Sequence, residues 1–159
     1  MYMEAPDMAQ QTIDTVLKSR TTPVVTCRPD DTIQLVVGLL NRYKIGALPV
    51  TDGDGRLVGV VSERDVIRAL AASQGDVRTR KVSELMSRDV VTCTRATAIK
   101  DAVRLMDKRR IRHLPVMEGS RVVDMVSLRD VVSLRLSEAE LEADVLRDYA
   151  RATGGVSAH

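Results

Sequence analysis

The 159-residue chain contains no Phe and no Trp, and Tyr2, Tyr43 and Tyr149 are its only aromatic residues. Recognition of single-stranded nucleic acid, which stacks bases on aromatic platforms, is therefore poorly supplied. Cysteine is almost as scarce. Cys27 and Cys93 are too few for a disulfide framework and lack the spacing of a metal site. No run approaches the roughly 18 apolar residues of a membrane span. Met1 to Gln11 lacks the basic and apolar blocks of a secretory signal. These absences set the expectation of a cytoplasmic protein with no membrane partner. Net charge is nearly absent too, since 24 Lys and Arg against 22 Asp and Glu leave +2. What remains is 44% hydrophobic and 29% charged, a globular composition whose core has to be aliphatic.

An internal repeat organises the chain. Shifted by 66 positions, Val24–Val50 lies over Val90–Val116 without a gap, and 11 of 27 positions are identical. One deleted residue later, 52–70 lies over 117–135 with 7 identities in 19. Each copy opens on an amphipathic turn (Ile13, Val16, Leu17; Val82, Leu85, Met86). A short strand follows, Val24–Cys27 or Val90–Cys93. Ile33, Val36, Val37 and Leu40, matched by Ile99, Ala102, Val103 and Met106, hold the spacing of one buried helical stripe. Two strands joined by a Gly-containing turn come next, and a last helix starts after Ser62 or Ser127. The pattern predicts an α+β fold of two pseudo-symmetric β-α-β-β-α units packed through their sheets. The expected organisation is a flexible segment 1–11, a first unit 12–70, a polar linker 71–80 and a second unit 81–136. Ser137 and Glu140 read as a capping box opening a separate C-terminal helix, 137–152, before a frayed tail, 153–159. Its stripe of Leu141, Val145 and Tyr149 packs either on its own domain or on a partner.

Two motifs recur with the repeat. Ser62-Glu63-Arg64-Asp65 returns as Ser127-Leu128-Arg129-Asp130. Ser-x-x-Asp before an apolar helix is a capping signature. It is also a binding signature, because a helix N-terminus offers free N–H groups and an ionised Asp accepts hydrogen bonds from a ribose diol. The two readings are compatible. The strand before each Leu-Pro-Val differs between copies: Ile45-Gly46-Ala47 offers small residues to a purine, whereas Ile111-Arg112-His113 carries charge.

Tandem units with these motifs resemble paired CBS domains, and the resemblance covers nearly everything from Ile13 to Leu136. It implies a non-catalytic sensor that binds an adenine-containing ligand between the copies, with AMP the foremost expectation and ADP, ATP, NAD or S-adenosylmethionine the others. No further cofactor is implied, and a homodimer signalling to an unknown effector protein is. The implied sites are crossed. The first takes Thr26, Ile45, Gly46 and Ala47 around the adenine, Ser127 and Asp130 at the ribose, and Arg112 and His113 at the phosphate, with Arg129 also among its ligand-binding residues. The second takes Thr92 and Ile111 to His113 for the base, with Ser62, Arg64 and Asp65 at the ribose. Arg112 and His113 cannot serve both sites freely, and the first is favoured. Asp124 departs from the usual glycine, present as Gly59 in the first copy; it repels phosphate if it faces the cleft and is harmless if it faces solvent.

Other functions find less support. The basic run Lys108-Arg109-Arg110-x-Arg112 reads as a helix end or as an anion site, and the near-neutral chain disfavours nucleic acid. Cys27 and Cys93 sit at equivalent positions, as duplicated core residues would. No P-loop, Rossmann or nucleophile-elbow pattern points to catalysis. A scaffold whose clefts have lost their ligand is the alternative reading.

Overall fold

The structure is a computed structural model that describes residues 10–72 and 75–154. The expectations for 1–9 and 155–159 lie outside the described residues. In chain order the elements are α1 (Ile13–Leu17), α2 (Ile33–Tyr43), β1 (Ala47–Thr51), β2 (Leu57–Ser62), α3 (Glu63–Ala72) and a 3₁₀ turn (Val77–Thr79). Then come α4 (Val82–Leu85), α5 (Ile99–Arg109), β3 (His113–Glu118), β4 (Arg121–Ser127) and α6 (Leu128–Gly154).

Each half is built on one antiparallel hairpin, β1–β2 or β3–β4, with Ala47 opposite Ser62 and His113 opposite Ser127. The turns place Gly55 and Gly119 at φ of 81° and 63°, a region that favours glycine. The strands expected at 24–27 and 90–93 contract to single parallel rungs, Cys27 on Val50 and Cys93 on Val116. Only the cysteine commits both backbone groups to the ladder: Cys27 N–H donates to Pro49 O (3.1 Å) and its carbonyl accepts from Thr51 N (2.9 Å). Cys93 repeats this on Pro115 and Met117. The hairpins meet at an antiparallel bridge between Arg56 and Arg121, equivalent residues of the repeat, as a pseudo-twofold axis requires.

The two aliphatic cores do not follow the sequence repeat. Ile13, Val16 and Leu17 of α1 are buried with Cys93, Ile99, Met106, Leu114, Val116 and Val126 of the second copy. Val77, Val82 and Met86 are buried with Cys27, Ile33, Leu48, Val50 and Val61 of the first. Backbone bonds seal the exchange. Ile13 N donates to Thr97 O and Ile99 N to Gln11 O, both 2.9 Å, while Ile33 N donates to Arg80 O and Val82 N to Asp31 O, also 2.9 Å. Each copy thus lends its opening turn to the other. The later part of the stretch read as a linker is structural for the same reason: Asp76 caps the 3₁₀ turn and Val77 lies in the core.

Two helical expectations need correction. Val37 is 44% exposed, because the buried stripe of α2 narrows to Ile33, Val36 and Leu40. Ser137 does not open a helix. It lies inside the 27-residue α6, since no Gly or Pro occurs in 128–153 and a cap needs a residue with non-helical backbone. Gln11 Nε2 donates to Glu138 Oε1 (2.5 Å), tying α6 to the start of α1. Beyond that point Leu141, Val145, Leu146 and Tyr149 stand exposed.

Candidate functional site

α2 and α5 both end on a residue in the left-handed region, Lys44 and Arg110, each with φ of 54°. Ile45 N then donates back to Leu40 O (3.2 Å) and Ile111 N to Met106 O (2.9 Å). This closing bond turns the chain sharply into β1 and β3 and aims Ile45-Gly46-Ala47 and Ile111-Arg112-His113 at the space between the halves. The strands are then fixed to the following helices: Glu63 N donates to Gly46 O (3.0 Å) and Leu128 N to Arg112 O (2.8 Å).

The Ser-x-Arg-Asp segments do cap their helices. Asp65 Oδ2 accepts from Ser62 N (2.8 Å) and Ser62 Oγ (3.0 Å). Asp130 Oδ2 accepts from Ser127 N (2.8 Å), and Asp130 N donates to Ser127 Oγ (3.1 Å). Capping takes Oδ2 in both copies. Among the described residues, Oδ1 of Asp65 has only a 4.0 Å ion pair with Arg68. Capping and ligand binding therefore do not compete for the same oxygen.

Two clefts open beside these segments. The first, 690 Å³, brings together Ile45, Gly46, Ala47, Arg112, His113, Ser127, Arg129 and Asp130. The second, 940 Å³, brings together Ser62, Arg64, Asp65, Ile111, Arg112 and His113. Both volumes lie in the range of roughly 300–1,000 Å³ that holds small ligands. Thr26 and Thr92 are not among the lining residues. With Cys27 and Cys93 turned into the cores, strand alternation points each preceding Thr the other way. Val24 and Val25 line the first cleft instead, and Val90 and Val91 the second.

Gly46, Ala47, Glu63, Arg112 and His113 line both clefts. A Cβ on Gly46 would lie 3.0 Å from His113 Cε1 and 3.1 Å from Nε2, so the imidazole rests against the glycine backbone. Burial pushes the His113 pKa down; Asp130 and Glu63 pull against that, and Arg112 adds to it. Burial likewise pushes the Cys27 thiol up to about 12 and the Cys93 thiol up to about 11, which keeps both protonated and unreactive.

Sequence reasoning missed Arg20, which lines the first cleft. Its Nη1 donates to Asp124 Oδ1 (2.6 Å) and Met125 O (2.7 Å), and its Nη2 pairs with Asp130 Oδ2. Asp124 thus lines the cleft and is buried, yet it carries its own counter-ion. A signal existed, because Ser19-Arg20 recurs as Ser87-Arg88 ahead of the second copy. Among the described residues no cluster of His, Cys, Asp and Glu is disposed to hold a metal ion, and no helix is long and apolar enough to cross a membrane.

Comparison with known proteins agrees with the fold. The CBS domain family model matches residues 17–72 and again 82–137. A CBS domain-containing protein of Bacillus subtilis, YhcV, is 33% identical over 125 residues, which are 79% of this chain and 88% of that protein. The crystal structure of a CBS-domain containing protein from Agrobacterium tumefaciens superposes with a TM-score of 0.72 at 35% identity, covering 78% of this chain and 98% of the other. A CBS domain pair solved in complex with 5-methylthioadenosine and S-adenosyl-L-methionine superposes with a TM-score of 0.72 at 25% identity, covering 80% and 98%. Against inosine-5'-monophosphate dehydrogenase of Methanocaldococcus jannaschii the match spans only 22% of the enzyme's length. Two matched domains in tandem, on a fold shared with solved CBS pairs, establish that the chain belongs to the CBS-domain family.

Proposed function

We propose that this CBS pair is a non-catalytic sensor that binds an adenosine-containing ligand, AMP foremost, in the clefts between its halves. The observation that carries the reading is the spare carboxylate. Each Ser-x-Arg-Asp segment spends one Asp oxygen on its helix cap and keeps Oδ1 beside a cleft that combines small and aliphatic residues with charged ones. An ionised carboxylate oxygen there suits the two hydroxyls of a ribose. The solved pair that holds 5-methylthioadenosine and S-adenosyl-L-methionine supports the class of ligand. In the first cleft Ile45, Gly46 and Ala47 face the adenine, Asp130 takes the ribose, and Arg112 and His113 meet the phosphate. In the second, Asp65 takes the ribose beside Ile111. Occupancy reaches a protein partner by shifting a homodimer formed through the exposed apolar residues of α3 and α6, among them Ile67, Leu70, Val132 and Leu136.

Calorimetry and thermal shift with AMP, ADP, ATP, NAD and S-adenosylmethionine test the reading. At least one of them is expected to stabilise ligand-free protein, and Asp130→Ala to weaken binding more than Asp65→Ala. Silence toward every adenylate at millimolar concentration refutes it, and the reverse order of the two variants refutes the preference for the first cleft.

A further inference from the structure

We infer that Arg20 joins Arg112 and His113 in reading a negative charge on the ligand of the first cleft, so that this cleft takes an adenosyl ligand with an anionic 5′ group in preference to a neutral nucleoside. The inference rests on the adenosine reading and adds to it the ligand class and the side chain that sets it.

Three observations carry it. First, Arg20 follows three residues after α1, the turn that the first copy lends to the second half, and crosses to β4 and the start of α6. Its guanidinium is one hydrogen bond from the carboxylate assigned to the ribose. Secondly, the bond uses Asp130 Oδ2, the oxygen already shared with Ser127 N. A ribose can therefore occupy Oδ1 while Arg20 stays in place. Three of the five guanidinium N–H donors meet Asp124, Met125 and Asp130, leaving donor capacity for an anion on the ribose.

Thirdly, the repeat supplies an internal control. In the first half Gly59 stands where Asp124 stands in the second, and a Cβ there would lie 2.8 Å from Met86 Sδ and 2.9 Å from Ser87 O. A backbone bridge closes that half, with Val60 N donating to Ser87 O (3.0 Å) and Ser87 N to Val60 O (2.9 Å). Arg88, the counterpart of Arg20, is exposed and is not among the residues lining the second cleft. In the second half, Met125, the counterpart of Val60, accepts from the Arg20 side chain. The exchange of Gly for Asp and the inward turn of Arg occur together, on one side only. An Arg held by two carboxylates is fixed in position with N–H donors to spare, which suits it to an anionic ligand group over a neutral one of the same shape.

AMP and adenosine are the probes, titrated by calorimetry into the full chain carrying Asp65→Ala, so that the second cleft lacks its ribose carboxylate. With Arg20 present, AMP is expected to bind about tenfold tighter than adenosine or better, the range of a charge-assisted hydrogen bond. Arg20→Gln is expected to cut that preference about threefold or more, with Arg112 and His113 keeping the remainder, while adenosine itself changes little, and Arg20→Lys to restore part of it. Because Arg20→Gln strands Asp124, the double variant Arg20→Gln/Asp124→Asn is measured beside it and stands in for it if the single variant does not fold. An unchanged ratio, or equal weakening of both ligands, overturns the inference and leaves Arg20 a structural residue. Equal affinity of AMP and adenosine with Arg20 present overturns it too, without touching the adenosine reading. Binding of neither ligand, to this protein or to the chain with Asp65 intact, overturns the inference, and silence toward ADP, ATP, NAD and S-adenosylmethionine as well removes the adenosine reading with it.

Discussion

Ile13 lies near the start of the described chain, yet it belongs to the core of the second half, and the substitution Ile13→Ala exposes that arrangement. Ile13 is fully buried among Cys93, Ile99, Met106, Leu114 and Val116. Truncation to Ala removes three carbons, about 2.4 kcal/mol at roughly 0.8 kcal/mol per methylene. The incompletely collapsed cavity raises the cost to about 3 kcal/mol. The chain provides its own probes of where that loss falls, because each half buries one cysteine: Cys27 in the first, Cys93 in the second. With their thiols pushed up to about 12 and about 11, both label only when the surrounding core opens. Native-state thiol labelling, resolved by peptide mass spectrometry, then reads the opening of each half separately. In Ile13→Ala, Cys93 is expected to label roughly a hundredfold faster, the factor that about 3 kcal/mol gives, with a much smaller change at Cys27. Val82→Ala, which truncates a fully buried residue of the other core, is expected to reverse the order. Preferential labelling of Cys27 in Ile13→Ala would refute the exchange of α1. Equal acceleration at both cysteines would refute the separate opening of the halves.

Gly46→Ala drives a Cβ to 3.0 Å from the His113 ring, and its expected cost is about 1–3 kcal/mol in urea unfolding; His113→Ala should recover part of that loss, and no recovery would mean the glycine is required for another reason. His113 also predicts a pH dependence. Its folded pKa is lowered, chiefly by burial, so its contribution to stability is complete above the ordinary value of about 6.5 and is lost as pH falls through the folded value. Between pH 7.5 and pH 5 the wild type should therefore lose more stability than His113→Gln, and parallel profiles would show that the ring is not desolvated. Ser137→Ala distinguishes helix interior from helix cap by sign: an exposed interior site gains about 0.5 kcal/mol or less, whereas loss of a cap costs about 1 kcal/mol. Thermal unfolding by circular dichroism reads the difference.

Much of this architecture was legible because duplication writes each element twice. The hairpins, the two long helices and the twin Ser-x-Arg-Asp segments each appear at matching positions. Which core a segment enters is not written locally. The stripe of Ile13, Val16 and Leu17 is the same whichever half it packs against, and backbone bonds from Ile13 to Thr97 and from Ile99 to Gln11 settle the matter only in three dimensions. Arg20 escaped for a related reason: its partners Asp124 and Asp130 are more than a hundred residues away, |i−j| being 104 and 110. The departure at Asp124 was visible, but its counter-ion was not. The separate C-terminal helix failed as an expectation because a capping signature states only that a helix can start there. With favourable helix formers on both sides of Ser137, the chain has no cause to stop.

The exchange of opening turns also governs the order in which the molecule can be made. As the chain leaves the ribosome, α1 emerges before the core it enters, because Ile99, Leu114 and Val126 are not yet synthesised. The first half to appear is itself incomplete until Val77, Val82 and Met86 follow it. Contacts between the earliest helix and the latest hairpin span most of the sequence, and such pairings close slowly. A chain stalled after Ala72 would hold one unfinished core and one orphaned apolar helix. Neither unit can be released as a finished piece, and what was duplicated as a sequence can mature only as a pair.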